Sequence, residues 1–297
     1  MKAEEVNIHP DTQPGRVALT VADMERSLGF YRQVLAMELH ARNGNLAQVG
    51  PEGGDTLIEL VHDPSAKPPQ APATGLYHMA FRLPSRRNLA AVLEHMLGLA
   101  WPLQGAADHL VSEALYLADP EGNGIELYRD RPRHEWPYHD GELQMATNPL
   151  DVNGLLGELR KEVEPAEGGM VSGCVLGHIH LKVADIHAAE RFYTGALGME
   201  LITRYGGSAS FVSAGGYHHH IGFNTWNSAG APSPAPGSTG LRYFSLRLPD
   251  QGALDNLLAR LRRLKVDIEE APQGVLVRDP SQNRILLTTR TKRPDLQ

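Results

Sequence analysis

The sequence predicts an α+β fold built from four copies of one module, in which a strand and a helix are followed by three strands (βαβββ). Two observations lead to this prediction. The 297-residue chain repeats its own sequence at an offset of 162 residues, as in Gly15 and Gly177. Within each half, the spacing of apolar residues also changes twice from the two-residue period of a strand to the helical period and back. Copies of the module fit at 14–62, 75–130, 176–226 and 240–290.

The repeat rests on three pairs of segments that occur in the same order in both halves. They are Gly15-Arg-Val-Ala-Leu-Thr-Val-Ala-Asp23 with Gly177-His-Ile-His-Leu-Lys-Val-Ala-Asp185, Gly75-Leu-Tyr-His-Met-Ala-Phe-Arg-Leu-Pro84 with Gly240-Leu-Arg-Tyr-Phe-Ser-Leu-Arg-Leu-Pro249, and Asp119-Pro120 with Asp279-Pro280. Matching order indicates a duplicated domain. We therefore expect one domain at 1–132, a connector rich in polar residues and proline at 133–173, and a second domain at 174–297.

Each element of the first module has its own signal. Apolar and polar residues alternate at 17–21, which predicts a half-buried strand. Asp23 then provides an N-cap for a helix over 24–35. The strands expected to complete the first module, and the elements expected in the second, are the strands 38–42, 46–49, 56–61 and 77–83, the helix 88–97, and the strands 103–106, 114–118 and 124–128.

Composition and charge exclude several classes of protein. With 28 basic and 35 acidic residues, the net charge is −7, so there is no basic footprint for nucleic acid. No apolar run approaches the ~18 residues of a membrane span. The N-terminal segment has no apolar stretch typical of a secretory signal, and the single cysteine, Cys174, cannot form an intrachain disulfide. These features predict a cytoplasmic protein.

Fourteen histidines are more than core packing requires. Strand alternation places several polar side chains on the strand faces turned away from the helices: His78, Glu126, His178, His180, His218 and His220. If these faces curve together, they line one polar pocket. Two imidazoles and one carboxylate with open coordination positions are the ligand set of non-haem Fe(II) sites that also bind O₂ or substrate.

The repeated Val-x-Asp, Phe-Tyr and Leu-x-Met motif and the segment Asp119-Pro-Glu-Gly-Asn-Gly-Ile-Glu126 resemble the vicinal oxygen chelate superfamily. This superfamily contains glyoxalase I, bleomycin-resistance proteins and extradiol dioxygenases. The segments Gly75-Leu-Tyr-His78 and Gly177-His-Ile-His180, and residues 215–226, resemble its two-domain catechol 2,3-dioxygenase branch. The resemblance implies a tandem glyoxalase/extradiol dioxygenase-like fold, in which the modules pair into two cupped mixed β-sheets.

The resemblance also implies where metal ligands lie, on the first and last strands of paired modules. The corresponding positions here are Arg16, His78, His178 and Tyr243 on first strands, and Glu59, Glu126, a residue near His220, and Leu286 on last strands. Neither half alone supplies two histidines and a carboxylate. Modules two and three together supply His78, Glu126 and His178. We therefore expect these two modules to share the metal, with modules one and four forming a metal-free structural cup.

The function implied by the resemblance is a non-haem Fe(II)-dependent extradiol dioxygenase of aromatic catabolism, with Mn(II) as an alternative metal. Its partners would be a small aromatic diol and O₂, and a homo-oligomer is compatible with the sequence. A histidine must take a proton from the substrate and later return it, and His218 or His220 is expected in this role. Tyr116 is expected to donate a hydrogen bond to the substrate, and His109 and His180 to support the site.

Alternatives remain open at this level. The histidine run at 218–220 can also be read as an exposed loop, and Tyr116 as a core residue. Four protein ligands would favour another metal-dependent enzyme of the same fold, either a lactoylglutathione lyase-like isomerase or a thiol transferase. A non-catalytic small-molecule binder would present an aromatic, metal-free cup. The three ligands favour O₂ chemistry.

Overall fold

The computed structural model describes residues 7–160 and 169–289. The middle of the predicted connector and both chain ends lie outside this part, and with them the outer limits of the predicted domains 1–132 and 174–297. Residue 290, the last of the fourth module, also lies outside the described residues. So does most of the N-terminal segment, for which the sequence predicts no secretory signal. Among the described residues, no helix combines the length and apolarity needed to cross a bilayer.

Two large mixed sheets contain the four modules. The eight-stranded sheet combines modules one and four, and its strands in spatial order are Glu269–Ala271, Gly274–Arg278, Arg284–Thr289, Gly240–Leu248, Gln13–Val21, Ile58–His62, Leu46–Gly50 and Glu38–Asn43. The nine-stranded sheet combines modules two and three with one connector strand, in the order Asn148–Pro149, Gly105–Asp108, Ser112–Ala118, Gly124–Asp130, Gly75–Arg82, Val175–Lys182, Ile221–Asn224, Ala209–Ser213 and Glu200–Tyr205. A hairpin of Tyr138–His139 and Glu142–Leu143 lies in the connector.

Of the two helices predicted for modules one and two, one begins at Met24 as predicted, and the other begins at Arg86, two residues before its predicted start at 88. The α-helices are Met24–Gln33, Arg86–Gly98, Val152–Gly157, Ile186–Glu190 and Gln251–Arg263; Ile186–Glu190 continues as the π-helix Arg191–Ala196, and Arg133–Glu135 and Glu158–Arg160 are 3₁₀ turns. In each module, a side chain before the helix accepts a hydrogen bond from a first-turn N–H group, and these caps are Asp23, Ser85, Asp185 and Asp250.

The sheets join modules from different halves of the chain. Within a module, the first strand pairs in parallel with the last strand, which leaves the other edge of the first strand free. That edge pairs antiparallel with the first strand of another module: Gly75–Arg82 with Val175–Lys182, and Gln13–Val21 with Gly240–Leu248. The predicted tandem α+β fold with two mixed sheets is thereby confirmed.

Two buried tyrosines explain much of the internal repeat. Tyr31, in the first helix, donates a 2.7 Å hydrogen bond to Asp119 of module two, and Tyr193 donates a 3.0 Å bond to Asp279 of module four. Each aspartate also accepts the main-chain N–H of the asparagine four residues later, Asn123 or Asn283. Because the two modules of one half belong to different sheets, these bonds connect one sheet to the other.

Candidate active site

Three neighbouring strands in the middle of the nine-stranded sheet carry His78, Glu126 and His178. The strand Gly75–Arg82 lies between the other two, and its Ala80 is in register with Glu126 on one side and His178 on the other. Residues in register share a face of the sheet. The small side chain of Ala80 therefore leaves space in which the three longer side chains meet.

The three side chains converge on one point. The Nε2 of His78 lies 3.0 Å from the Oε2 of Glu126, the Nε2 of His178 lies 3.2 Å from the same oxygen, and the two nitrogens are 3.3 Å apart. All three residues are buried. Modules two and three thus bring the predicted ligand set together in one place.

Burial and mutual contact favour the protonation states that metal ligands need. Burial lowers the pKa of His178 to about 4 against the opposing influence of Glu126, which leaves the imidazole neutral at pH 7. Burial alone would raise the pKa of Glu126, but His178 and His78 outweigh it and hold that pKa well below its usual value. The site therefore offers an ionised carboxylate beside a neutral imidazole.

This donor set fits a cation. If each imidazole donated a proton to Glu126, the N–H groups of His78 and His178 would face each other across 3.3 Å. A divalent ion in place of those protons satisfies all three atoms, because neighbouring donors on a metal with bonds of about 2.1 Å lie about 3 Å apart. Two nitrogens and one oxygen suit a transition metal rather than Ca²⁺ or Mg²⁺.

A cavity of about 420 Å³ opens directly onto these three residues. Its other walls are mostly aromatic or apolar, and several come from the connector. They are Tyr77, His109, Ser112, Tyr116, Met145, Ala146, Thr147, His180, Tyr205, Phe211, His219 and Trp226. A mostly apolar cavity with a few convergent polar groups is typical of a small-molecule site.

His219 lines the cavity, and the sequence analysis missed it. Its ring centroid lies 4.1 Å from that of His178. Strand alternation places His218 and His220 on the pocket face only if the strand covers 218–224. The observed strand is Ile221–Asn224, and the histidine run follows a turn in which Gly215 and Gly216 have φ of 63° and 64°. Strand alternation therefore does not extend to the run.

His218 lies behind the cavity and connects His219 to Asp130. Its Nε2 donates to Asp130 at 2.9 Å, and its Nδ1 lies 2.8 Å from the Nδ1 of His219. Because a carboxylate only accepts, neutral His218 is protonated at Nε2 and accepts at Nδ1 from His219. This assignment leaves the Nε2 of neutral His219 unprotonated, as a proton acceptor requires.

Asp130 is itself held in place by other groups. Tyr217 donates to both of its oxygens, at 3.1 and 3.0 Å, and Arg82 lies 3.3 Å from one of them. Burial would raise the pKa of Asp130, but His218, Arg82 and Tyr217 outweigh it and keep that pKa below its usual value. An ionised Asp130 fixes the orientation of the His218 ring.

His220, the other predicted base, faces a different region. Its Nδ1 accepts from the Ala214 N–H at 3.2 Å and lies 3.1 Å from the Ser213 hydroxyl, and its ring stacks on Tyr217. It lines a second cavity of about 280 Å³ together with Arg82 and Arg133. It is not among the residues that line the cavity beside the ligand set.

Tyr116 and His109 form a hydrogen-bonded chain along the cavity wall. The Nδ1 of His109 lies 2.6 Å from the Ala146 carbonyl oxygen, which only accepts, so Nδ1 carries the proton. The Nε2 of neutral His109 then accepts the Tyr116 O–H across 2.6 Å. Burial, and after it Glu126, raises the pKa of Tyr116 well above its usual value, so the phenol stays protonated.

His180 supports the ligand set through packing. The Asn224 amide donates to its Nε2 at 2.9 Å, and its ring lies 4.9 Å from that of His78 in an edge-to-face arrangement. His180 thereby restricts the orientation of the His78 ring without a hydrogen bond to it.

The eight-stranded sheet has a different cluster at the corresponding place. Arg16 and Tyr243 stand at the repeat positions of His178 and His78. The Arg16 guanidinium lies 3.3 Å from Glu59, and Tyr243 and Gln48 donate hydrogen bonds to the same carboxylate. The positive charge beside this buried carboxylate therefore comes from the protein itself.

Comparison with known proteins agrees with this architecture. The chain is 41% identical to a catechol-2,3-dioxygenase of Bacillus subtilis (strain 168) over 281 residues, which cover 92% of this chain and 96% of that protein. Among solved structures, glyoxalase I from Zea mays has a TM-score of 0.54 at 15% identity and covers 94% of this chain and 92% of its own. The cppA protein of Streptococcus pneumoniae TIGR4 has a TM-score of 0.52 at 12% identity, covering 93% and 98%. At these identities the structural likeness supports the fold alone.

The sequence profile of one superfamily matches both halves, at residues 13–127 and 175–287. These segments include His78, Glu126 and His178. The chain therefore belongs to the Glyoxalase/Bleomycin resistance protein/Dioxygenase superfamily.

Proposed function

We propose that this chain is an extradiol dioxygenase that cleaves the ring of a catechol-like aromatic diol with O₂. The observation that carries the proposal is the convergence of His78, Glu126 and His178 at the base of an aromatic-walled cavity. Two histidines and one carboxylate are the ligands of non-haem Fe(II) sites that keep positions open for substrate and O₂. Close identity to a catechol-2,3-dioxygenase over nearly the whole chain supports the same class.

Fe(II) is the proposed metal, with Mn(II) as the alternative, and His78, Glu126 and His178 would hold it. When bound, the ion would supply positive charge for the diol oxygens and redox chemistry with O₂. The sequence has a single cysteine, Cys174, and a chain without an intrachain disulfide fits a reducing, cytoplasmic location, which we include in the proposal.

We assign the proton-accepting role to His219. Of the three consecutive histidines, it is the one whose ring lines the cavity, and the connection to His218 and Asp130 fixes its unprotonated nitrogen at Nε2. His218 is then a positioning residue. The roles first predicted for His218 and His220 as bases remain predictions, which variants can test.

Tyr116 and His109 would bind one oxygen of the diol, and His219 would accept the proton of the other. While His109 is neutral, it takes the Tyr116 O–H, and the Tyr116 oxygen is then an acceptor for a substrate hydroxyl. Protonation of His109 would reverse the bond and free the Tyr116 O–H for donation. The pair can therefore serve the substrate both before and after a proton moves.

The test is anaerobic loading with Fe(II), followed by catechol and air, with the yellow ring-cleavage product measured by absorbance. Glu126→Gln keeps the shape of the side chain but removes its charge, and we expect it to lose both iron and activity. Glu94→Gln, on the helix Arg86–Gly98, is the control. Absence of product from a range of catechols, with tight zinc or nickel binding, would favour an isomerase or transferase instead.

A further inference from the structure

The residues that line the cavity indicate what kind of substituent the diol ring of the substrate bears. Resting on the proposed function, we propose that the natural substrate is an uncharged catechol bearing an aromatic substituent, which lies at the cavity mouth against Tyr77 and Trp226. The diol would lie at the ligand set, and the substituent would point towards solvent.

A series of aromatic rings leads from the ligand set to the surface. The ring of His180 lies 4.9 Å from His78 and 5.0 Å from Tyr77, and Tyr77 in turn lies 5.3 Å from Trp226 in an edge-to-face contact. Tyr77 and Trp226 are 38% and 43% exposed while they line the cavity, so they lie at its mouth, together with Tyr205, which is 58% exposed. Ring pairs at these distances prefer offset or edge-to-face arrangements, which a further ring can extend.

The polar group of Trp226 is turned towards the protein. Its Nε1–H donates to the Ser208 hydroxyl at 3.1 Å, and its main-chain N–H donates to the Asn224 side chain at 3.2 Å. Asn224 is the residue that also holds His180. The indole is therefore fixed and presents hydrocarbon surface to the cavity, which favours an apolar group rather than a hydrogen-bonding one.

The charge of the walls disfavours an acidic substituent. Among the described residues that line this cavity, none is lysine or arginine. Arg82, on the strand that carries His78, lines the separate cavity of about 280 Å³ and pairs with Asp130. A carboxylate on the substituent would leave water with no lysine or arginine in the described part of the cavity wall to receive it.

The size of the cavity agrees with a substituted ring. At about 420 Å³ it lies within the range of sites for molecules larger than a single ring. Met145 and Ala146 of the connector contribute apolar wall in addition to the aromatic residues. A bare catechol would leave much of this surface in contact with water.

Binding without turnover tests the proposal. The Fe(II)-loaded protein would be titrated anaerobically, by calorimetry, with catechol, 2,3-dihydroxybiphenyl and 3,4-dihydroxyphenylacetate. We expect the biphenyl to bind at least about tenfold tighter than catechol, and the carboxylated ring at least about tenfold weaker. Equal or tighter binding of the carboxylated compound, no gain for the biphenyl, or no binding of any of the three would overturn the proposal.

A matched pair of variants locates the substituent. Trp226→Ala should bring the ratio of biphenyl to catechol affinity close to one, and Trp226→Phe should restore part of it. Tyr138→Ala removes an aromatic residue that is 59% exposed but does not line the cavity, and should leave the ratio unchanged. A Trp226→Ala ratio equal to that of the unaltered protein would exclude this location. Admitting air afterwards separates the two proposals, because selective binding without ring cleavage supports this one and contradicts the dioxygenase.

Discussion

Three consecutive histidines lie within a few ångströms of one another but have different surroundings. His219 faces the cavity, His218 is bonded to Asp130, and His220 stacks on Tyr217 and faces a second cavity. Their chemical roles are set by these surroundings, since the side chains are identical. The difference provides a direct test of which one accepts the substrate proton.

Replacing His219 should affect chemistry without affecting metal binding. We expect His219→Gln to lower kcat/KM by about 10²- to 10³-fold, because loss of a general base typically has an effect of this size. Iron content, measured by metal analysis, should be unchanged. His220→Gln is the control and should keep most of the activity. Nearly full activity in His219→Gln would remove this residue from the mechanism.

A second residue-scale prediction concerns pH and stability. Burial is the main cause that lowers the pKa of His220 to about 3, whereas an unfolded histidine has a pKa of about 6.5. The unfolded state therefore binds a proton between these values and the folded state does not, so stability is full above pH 6.5 and falls as pH drops. From pH 7 to pH 5, this residue should lower the free energy of unfolding by ~2 kcal/mol.

Denaturant titration of the metal-free protein measures this effect. Between pH 7 and pH 5, the free energy of unfolding should decrease less in His220→Gln than in the unaltered protein, by the ~2 kcal/mol that His220 contributes. His139→Gln, whose side chain is 80% exposed, should leave the decrease unchanged. If the His220 variant shows the same pH dependence as the unaltered protein, His220 is not held neutral by the fold.

At this scale the sequence indicates the proposed metal ligands better than the proposed proton acceptor, His219. His78, Glu126 and His178 lie on strands whose alternation is visible in the sequence, so their common face follows from periodicity. His219 lies outside a strand, after two glycines with positive φ, and its direction depends on a turn that periodicity does not describe. The Gly215-Gly216 pair is the signal that could have shown that the strand starts later.

Among the elements, the two strands that carry His78 and Glu126 approach unusually closely at Gly124. A Cβ at this position would overlap the Tyr77 carbonyl oxygen and lie 3.1 Å from the His78 Cβ. Both are held by the strand, so neither can move aside alone. Gly124 therefore sets how close the carboxylate and the first imidazole can come.

Gly124→Ala should separate these strands. We expect a loss of about 1–3 kcal/mol in the free energy of unfolding, the usual range for overpacking, together with weaker metal binding. Gly105→Ala is a matched control, since Gly105 also lies in a strand of this sheet and a Cβ there would meet nothing within 4 Å. Equal stability and metal affinity in the two variants would show that the close approach is unimportant.

Elements with strong local signals are predictable, and the connector is not. The helix after Asp23 and the strand Gly75–Arg82 follow from a cap and from alternation. Met145, Ala146 and Thr147 line the cavity, yet they lie in a polar, proline-containing stretch without periodicity. Their place is determined by pairing of the connector strand Asn148–Pro149 with Gly105–Asp108, a contact between distant residues.

At the scale of the whole molecule, the two sheets are built from the same repeated modules but differ in the groups that surround a buried carboxylate. Both have a buried carboxylate on a last strand beside a pair of first strands, but the eight-stranded sheet neutralises Glu59 with Arg16, whereas the nine-stranded sheet presents two imidazoles. The sequence indicates this division because only one combination of modules supplies a complete ligand set. Periodicity alone does not reveal which first strands pair.

Removing the internal cation should destabilise the protein without affecting the metal site. We expect Arg16→Met to lower the free energy of unfolding by about 2–3 kcal/mol, because it leaves Glu59 buried without its charged partner. Arg42→Met breaks an exposed pair with Glu25 and should cost less than about 1 kcal/mol. If Arg16→Met lost iron while its free energy of unfolding stayed unchanged, Arg16 would instead be shown to affect the metal site.

The pairing of first strands across the halves has a consequence for synthesis on the ribosome. Val175–Lys182 completes the centre of one sheet, and Gly240–Leu248 completes the other, so Gln13–Val21 waits for a partner about 230 residues later in the chain. Domains that fold during synthesis usually do so from the N-terminus. Here one edge of Gln13–Val21 pairs early with Ile58–His62 of the same module, but its other edge stays open until Gly240–Leu248 has been synthesised, and the ligand set cannot assemble before residue 178 has left the ribosome.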